Sequence, residues 1–111
     1  MTRSPEDAAQ AQLDAYNAKN IDDFVACYHE DVEVYDFLTG ELRMKGMESF
    51  RERYAKLFEN TKIHARLEQR MSLGSVVMDK EYVTGMGDEP VEAIAIYEVV
   101  EGLIRKVWFV K

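Results

Sequence analysis

The most constraining stretch is the second half of the chain, where residues 62–110 read as four strands separated by turns. From 62 to 73, Ile63, Ala65, Leu67, Met71 and Leu73 alternate with His64, Arg66, Glu68 and Arg70. Gly74-Ser75 turns the chain. From 76 to 84, Val76, Met78, Tyr82 and Thr84 oppose Val77, Asp79, Glu81 and Val83. Gly85-Met86-Gly87-Asp88-Glu89-Pro90 is the strongest turn signal. Residues 91–100 carry Val91, Ala93, Ala95, Tyr97 and Val99 on one face and Ile94, Ile96 and Val100 on the other. Glu101-Gly102 leads into a last strand over 103–110, rich in β-branched and aromatic residues. Such a run must form an antiparallel sheet and bury at least one of its faces. The last two strands are apolar on both faces, more than a monomer usually leaves wet. A homodimer packed sheet to sheet is expected.

The first half supplies the cover. Ser4 can cap a helix over 5–18, with Pro5 in its first turn and Glu6 and Asp7 favourable to the dipole. Its apolar stripe is Ala9, Leu13 and Tyr16. Asn20 caps a second, short helix with Asp23 as capping-box acid, and Ile21, Phe24, Val25 and Tyr28 form its stripe. That helix should end near His29, Glu30 and Asp31, with a strand at 32–37. Thr39-Gly40-Glu41 is a turn, and Leu42-Arg43-Met44 can return as a short strand. Gly46 opens a third helix, whose buried side is Met47, Phe50, Tyr54, Leu57 and Phe58. Three helices with a run of antiparallel strands is an α+β pattern, and 111 residues fit one domain over 1–111.

Composition narrows the function. With 21 acidic against 14 basic residues the net charge is -7, which argues against nucleic acid or an anionic membrane as partner. No apolar run approaches the ~18 residues of a membrane span, and the N-terminus lacks a signal-peptide core. Cytoplasmic residence is the expectation. The single Cys27 leaves no internal disulfide and no cysteine metal cage. His29 and His64 lack a second histidine at ligand spacing, so no metal site is expected. No phosphate loop or nucleophile elbow appears, and no cofactor is implied.

The order of elements resembles the nuclear transport factor 2-like superfamily, and within it the SnoaL-like and ketosteroid isomerase-like proteins. The likeness lies in Tyr16-Asn17-Ala18-Lys19-Asn20-Ile21-Asp22-Asp23-Phe24 and in Tyr28-His29-Glu30-Asp31-Val32-Glu33-Val34-Tyr35-Asp36. It continues through Lys45-Gly46-Met47-Glu48-Ser49-Phe50 to Tyr54, and closes with Tyr97-Glu98-Val99-Val100-Glu101-Gly102-Leu103-Ile104-Arg105-Lys106-Val107-Trp108. The resemblance implies a cystatin-like cone, with helices packed in a curved antiparallel sheet and a pocket at the open end, in a dimer. It matches Asp36 to the isomerases' general base, and Tyr28 and Tyr54 to tyrosines of their pocket. It departs from them at the oxyanion donors, where this chain has Gln12 and Ala95. Losing one such donor can cost roughly 10²–10³-fold in rate. Steroid isomerisation of that kind is therefore not implied.

Two kinds of candidate group follow. Asp36 shares a strand face with Val32 and Val34. If that face is buried, Asp36 is a carboxylate inside apolar surroundings, either with a raised pKa and the makings of a general base or as a structural carboxylate hydrogen-bonded to Tyr54 or to backbone. The tyrosines Tyr16, Tyr28, Tyr54 and Tyr97 lie on apolar stripes and are candidate ligand contacts. Tyr54 is the one favoured for the pocket and Tyr97 for the core. Trp108 is a further candidate ligand contact, with the dimer interface as the alternative. Asp79 and Glu81 sit two apart on one strand face. They read as an acid/base pair with split pKa values, or more simply as a solvated face paired to Arg66 and Arg70. The chain is thus expected to bind a small hydrophobic ligand, as a cofactor-free isomerase or hydrolase, as a binding module, or as a dimerisation domain with a vestigial pocket.

Overall fold

The structure is a computed structural model and describes residues 2–111. Three helices, α1 (Pro5–Ala18), α2 (Ile21–Val25) and α3 (Met47–Leu57), lie against six strands. The strands are β1 (Tyr28–Asp36), β2 (Leu42–Lys45), β3 (His64–Leu73), β4 (Val76–Thr84), β5 (Val91–Val100) and β6 (Leu103–Val110). They form one unclosed sheet in the order β2-β1-β6-β5-β4-β3. Four neighbouring pairs are antiparallel as expected. The fifth, β1 with β6, is parallel, because the first and last strands enter the sheet from the same end.

Local chemistry sets the helix ends. The Ser4 hydroxyl accepts from the Asp7 N–H at 3.1 Å, and Asn20 Oδ1 accepts from the Asp23 N–H at 3.0 Å. Each satisfies a donor that a helix start leaves orphaned. Lys19 closes α1 in the left-handed region at φ 59°. The helix α2 lasts only five residues, so Tyr28, expected on its stripe, instead begins β1.

The core lies between the helices and the inner sheet face. Phe24 is its centre: its ring lies 5.0 Å from Tyr28, 4.8 Å from Tyr54, 5.8 Å from Phe50 and 5.2 Å from Phe58. Each such pair contributes on the order of 1 kcal/mol beyond its buried area. Together they fix where the Tyr28 and Tyr54 hydroxyls lie. Val32, Val77, Ile104 and Val107 close the sheet side.

Residues 64–73 depart from the strict alternation expected of them. Leu67 pairs with Glu81, but Gln69 pairs with Lys80 and Arg70 with Asp79. Across that step β3 advances two residues while β4 advances one, which is a β-bulge. A one-residue slip moves every later side chain to the opposite face. Arg70 therefore turns inward, and Met71 and Leu73, expected inside, become 59% and 86% exposed.

Candidate active site

A cavity of about 540 Å³ opens between the helices and the inner sheet face. That volume suits a small organic ligand. Its walls come from α1 (Gln12, Leu13, Tyr16), α3 (Tyr54, Leu57) and the inner residues of the sheet, among them Val34, Glu81, Val83, Ala93, Tyr97 and Phe109. Exposed residues including Leu42, Arg43, Arg53 and Met86 form its rim.

Asp36 lines this cavity from the face shared with the buried Val32 and Val34, as its parity requires. It is not the buried base that was expected. Asp36 is the last residue of β1, where the chain leaves the core for the β1–β2 turn, and its side chain is 30% exposed. One carboxylate oxygen accepts from the N–H groups of Leu38 and Thr39 at 2.9 and 3.1 Å, and the other accepts from Arg43 at 3.2 Å. The Thr39 N–H foremost, then Arg43 and the Leu38 N–H, hold its carboxyl below the usual carboxylate range. These contacts make Asp36 the cap of a turn.

The buried carboxylates lie across the sheet, on β4. Val77, Asp79, Glu81 and Val83 all face inward, so the solvated-face reading of Asp79 and Glu81 is overturned. The expected partnership with Arg70 does form. Asp79 has no exposed surface, and its two oxygens accept from Arg70 Nε at 2.7 Å and Nη2 at 2.9 Å. Arg70 Nη1 also donates to Gln10 Oε1 on α1 at 3.0 Å. This bidentate pair exists because the β3 bulge turns Arg70 inward.

Glu81 is only 8% exposed, and its side chain lines the cavity. Unlike Asp79, it has no hydrogen-bond or ion-pair partner among the described residues. Burial first, then the neighbouring charge of Asp79, pushes its pKa up to about 7, while Arg70 and Lys111 pull the other way. Its titration thus falls where a general base works best at neutral pH.

Around Glu81 the cavity gathers phenol hydroxyls. Tyr16, Tyr28, Tyr54 and Tyr97 all line it. Burial is the chief cause that raises the pKa of all four, for Tyr16 up to about 12, so they stay protonated hydrogen-bond donors. Gln12 organises two of them. Its Nε2 lies 3.0 Å from the Ala9 carbonyl, which can only accept, so the amide nitrogen must face that way. Nε2 also donates to the Tyr97 hydroxyl at 3.1 Å, and Oε1 accepts from the Tyr28 hydroxyl at 2.8 Å. The Tyr97 hydroxyl oxygen therefore accepts a hydrogen bond from Gln12 and keeps its own proton free to donate. The hydroxyls of Tyr16 and Tyr54 bond no protein group among the described residues. Tyr97, favoured for the core, is both buried and part of the cavity wall.

Trp108 is not a cavity residue. Val107 and Phe109 face inward, so Trp108 points to the outer face of the sheet and stacks on Tyr35 at 5.7 Å and 17°. Among the described residues no group of three or more histidine, cysteine, aspartate or glutamate side chains could hold a metal ion. No helix there is long and apolar enough to cross a membrane.

Comparison with known proteins bears on fold and family. A model of the SnoaL-like domain matches residues 9–107. A cystatin-fold protein from Novosphingobium aromaticivorans superposes with a TM-score of 0.88 at 25% identity, covering 98% of this chain and 99% of its own. A suggested ketosteroid isomerase from Kribbella flavida gives 0.78 at 22%, covering 92% and 73%. A suggested polyketide cyclase from Sinorhizobium meliloti gives 0.80 at 16%, covering 94% of each. The last two likenesses establish the cystatin-like fold alone. A comparison with curated protein sequences finds no match.

Proposed function

The chain belongs to the SnoaL-like domain family, and on that basis we propose that it is an acid–base enzyme acting on a small apolar substrate without a cofactor. Glu81 is its base. One observation carries this reading: a buried carboxylate faces the cavity with no partner among the described residues and a pKa pushed up to about 7. In the reaction class that fits, the Glu81 carboxylate takes a proton from a carbon beside a carbonyl. The C–H electron pair moves into an enolate, whose oxygen accepts hydrogen bonds from tyrosine hydroxyls. Glu81 then returns the proton to the same carbon or to a conjugated one. Tyr16, Tyr54 and Tyr97 take the part that the departures at Gln12 and Ala95 leave vacant. Gln12 acts by holding Tyr97.

The test uses enolisable aryl and cyclic ketones in D2O, with deuterium uptake at the α-carbon followed by NMR. Uptake by the native protein should exceed the buffer rate and fall by at least about 10²-fold in Glu81→Gln. Equal uptake by the two proteins would refute the base assignment.

A second copy of this chain is proposed as partner. Register places Met71, Met78, Ile96, Trp108 and Tyr35 in one line across five strands of the outer face. Such an apolar line is what a sheet-to-sheet homodimer would cover. Light scattering should give a dimer mass, and Trp108→Glu a monomer; a native monomer would refute it.

A further inference from the structure

The charges around the cavity are not evenly matched. At the rim Asp36 and Glu41 both lie against Arg43, at 3.2 and 3.8 Å. That cluster sets two acids against one base and so keeps one excess negative charge. Arg53 on α3 and Lys111 beyond β6 also line the cavity, and neither has an anionic partner within 4.0 Å among the described residues. Arg53 precedes the cavity residue Tyr54 on α3, and the Lys111 ammonium lies 5.2 Å from the ring of Phe109 in the cavity wall. With them the rim carries three cations, Arg43, Arg53 and Lys111, against the two anions Asp36 and Glu41.

We infer that the ligand is amphipathic: an apolar body carrying a carboxylate, which Arg53 and Lys111 receive at the rim while a hydroxyl or carbonyl at its other end meets the tyrosines and Glu81. A guanidinium suits a carboxylate because its planar N–H groups match two oxygens at once. The rim position leaves the ligand's charge partly hydrated, so little desolvation offsets the attraction. The exposed Leu42 and Met86, also on the rim, would cover part of the apolar body. This inference rests on the cavity being a ligand site, as proposed above, but not on Glu81 transferring protons.

The test compares 6-hydroxy-2-naphthylacetate with 6-hydroxy-2-naphthylacetamide, which differ in charge and little in shape, by calorimetric titration. The native protein should bind the carboxylate about tenfold more tightly than the amide. Arg53→Gln should remove most of that preference and leave amide affinity unchanged. Added salt should weaken the carboxylate alone. Equal affinities in the native protein, a matching loss for both probes in Arg53→Gln, or binding of neither probe would overturn the inference. Failure of the deuterium exchange with these affinities intact would remove the base assignment and leave the carboxylate site standing.

Discussion

Replacing Glu81 by Gln keeps the side chain's shape and removes its titration, and the consequence for stability follows from the cavity. In the folded chain burial and Asp79 raise the Glu81 pKa from 4.5 to about 7. The folded form therefore holds that proton more tightly than the unfolded one. The resulting stability is present in full below pH 4.5 and is lost as pH rises through about 7. At ~1.4 kcal/mol per pH unit the whole loss is about 3 kcal/mol, a large part of a small domain's stability. Asp36 has the opposite sign: its lowered pKa contributes stability above the unfolded value, lost as pH falls through the folded one. It is common to both proteins and cancels in their difference. Urea unfolding at one protein concentration, from about pH 4 to pH 8, measures that difference. Native stability should fall relative to Glu81→Gln by about 3 kcal/mol across the range. A difference flat to within about 0.5 kcal/mol would show that Glu81 titrates alike folded and unfolded, and would refute the reasoning.

Four further substitutions probe the site and the fold that holds it. Asp79→Asn removes the charge that helps hold Glu81 up and frees that of Arg70, so the Glu81 titration, read by carboxyl ¹³C NMR, should move down. The same change leaves Arg70 without its anion and should cost roughly 3–5 kcal/mol in urea unfolding. Gln12→Leu strips the Tyr28 and Tyr97 hydroxyls of their shared partner, and should cost about 3 kcal/mol by the same assay. Gly85→Ala puts a Cβ 2.1 Å from the Lys62 carbonyl oxygen at φ +90°, and should lower the melting temperature by roughly 10 °C, whereas Gly40→Ala meets open space and should lower it by only a few degrees.

Most of the fold was legible because its signals are local. Ser4 and Asn20 cap the helices they were expected to cap, and the strands lie close to where alternation and turn residues placed them. What alternation cannot report is a change of register. The bulge after Leu67 carries no glycine or proline, only Glu68 and Gln69, and from there Arg70, Met71 and Leu73 fall on the faces opposite to those expected. The helix α2 likewise ends before Tyr28, although the apolar spacing extends through it.

The residues that line the cavity were legible in part, and the depth of its carboxylates was not. Parity placed Asp36 on the cavity side correctly, but parity says nothing of whether a residue lies deep in the core or at a strand's end. The turn that engages Asp36 was itself visible as Thr39-Gly40-Glu41. Glu81 carried a usable signal. Val77 and Val83 bracket Asp79 and Glu81 on one face, while the opposite face holds Met78, Lys80 and Tyr82. Which face is inner was decided by Ala93, Ala95 and Tyr97 on β5, across from Glu81, Asp79 and Val77. Only pairing between strands supplies that information.

The central claim is that Glu81 is a buried carboxyl group facing the cavity, unclaimed by the protein. A ¹³C NMR titration of its side-chain carboxyl in the native chain reads this directly. The midpoint should lie near 7; a midpoint at the ordinary 4.5 would mean that the group is solvated or paired, and the acid–base reading of the cavity would fall with it.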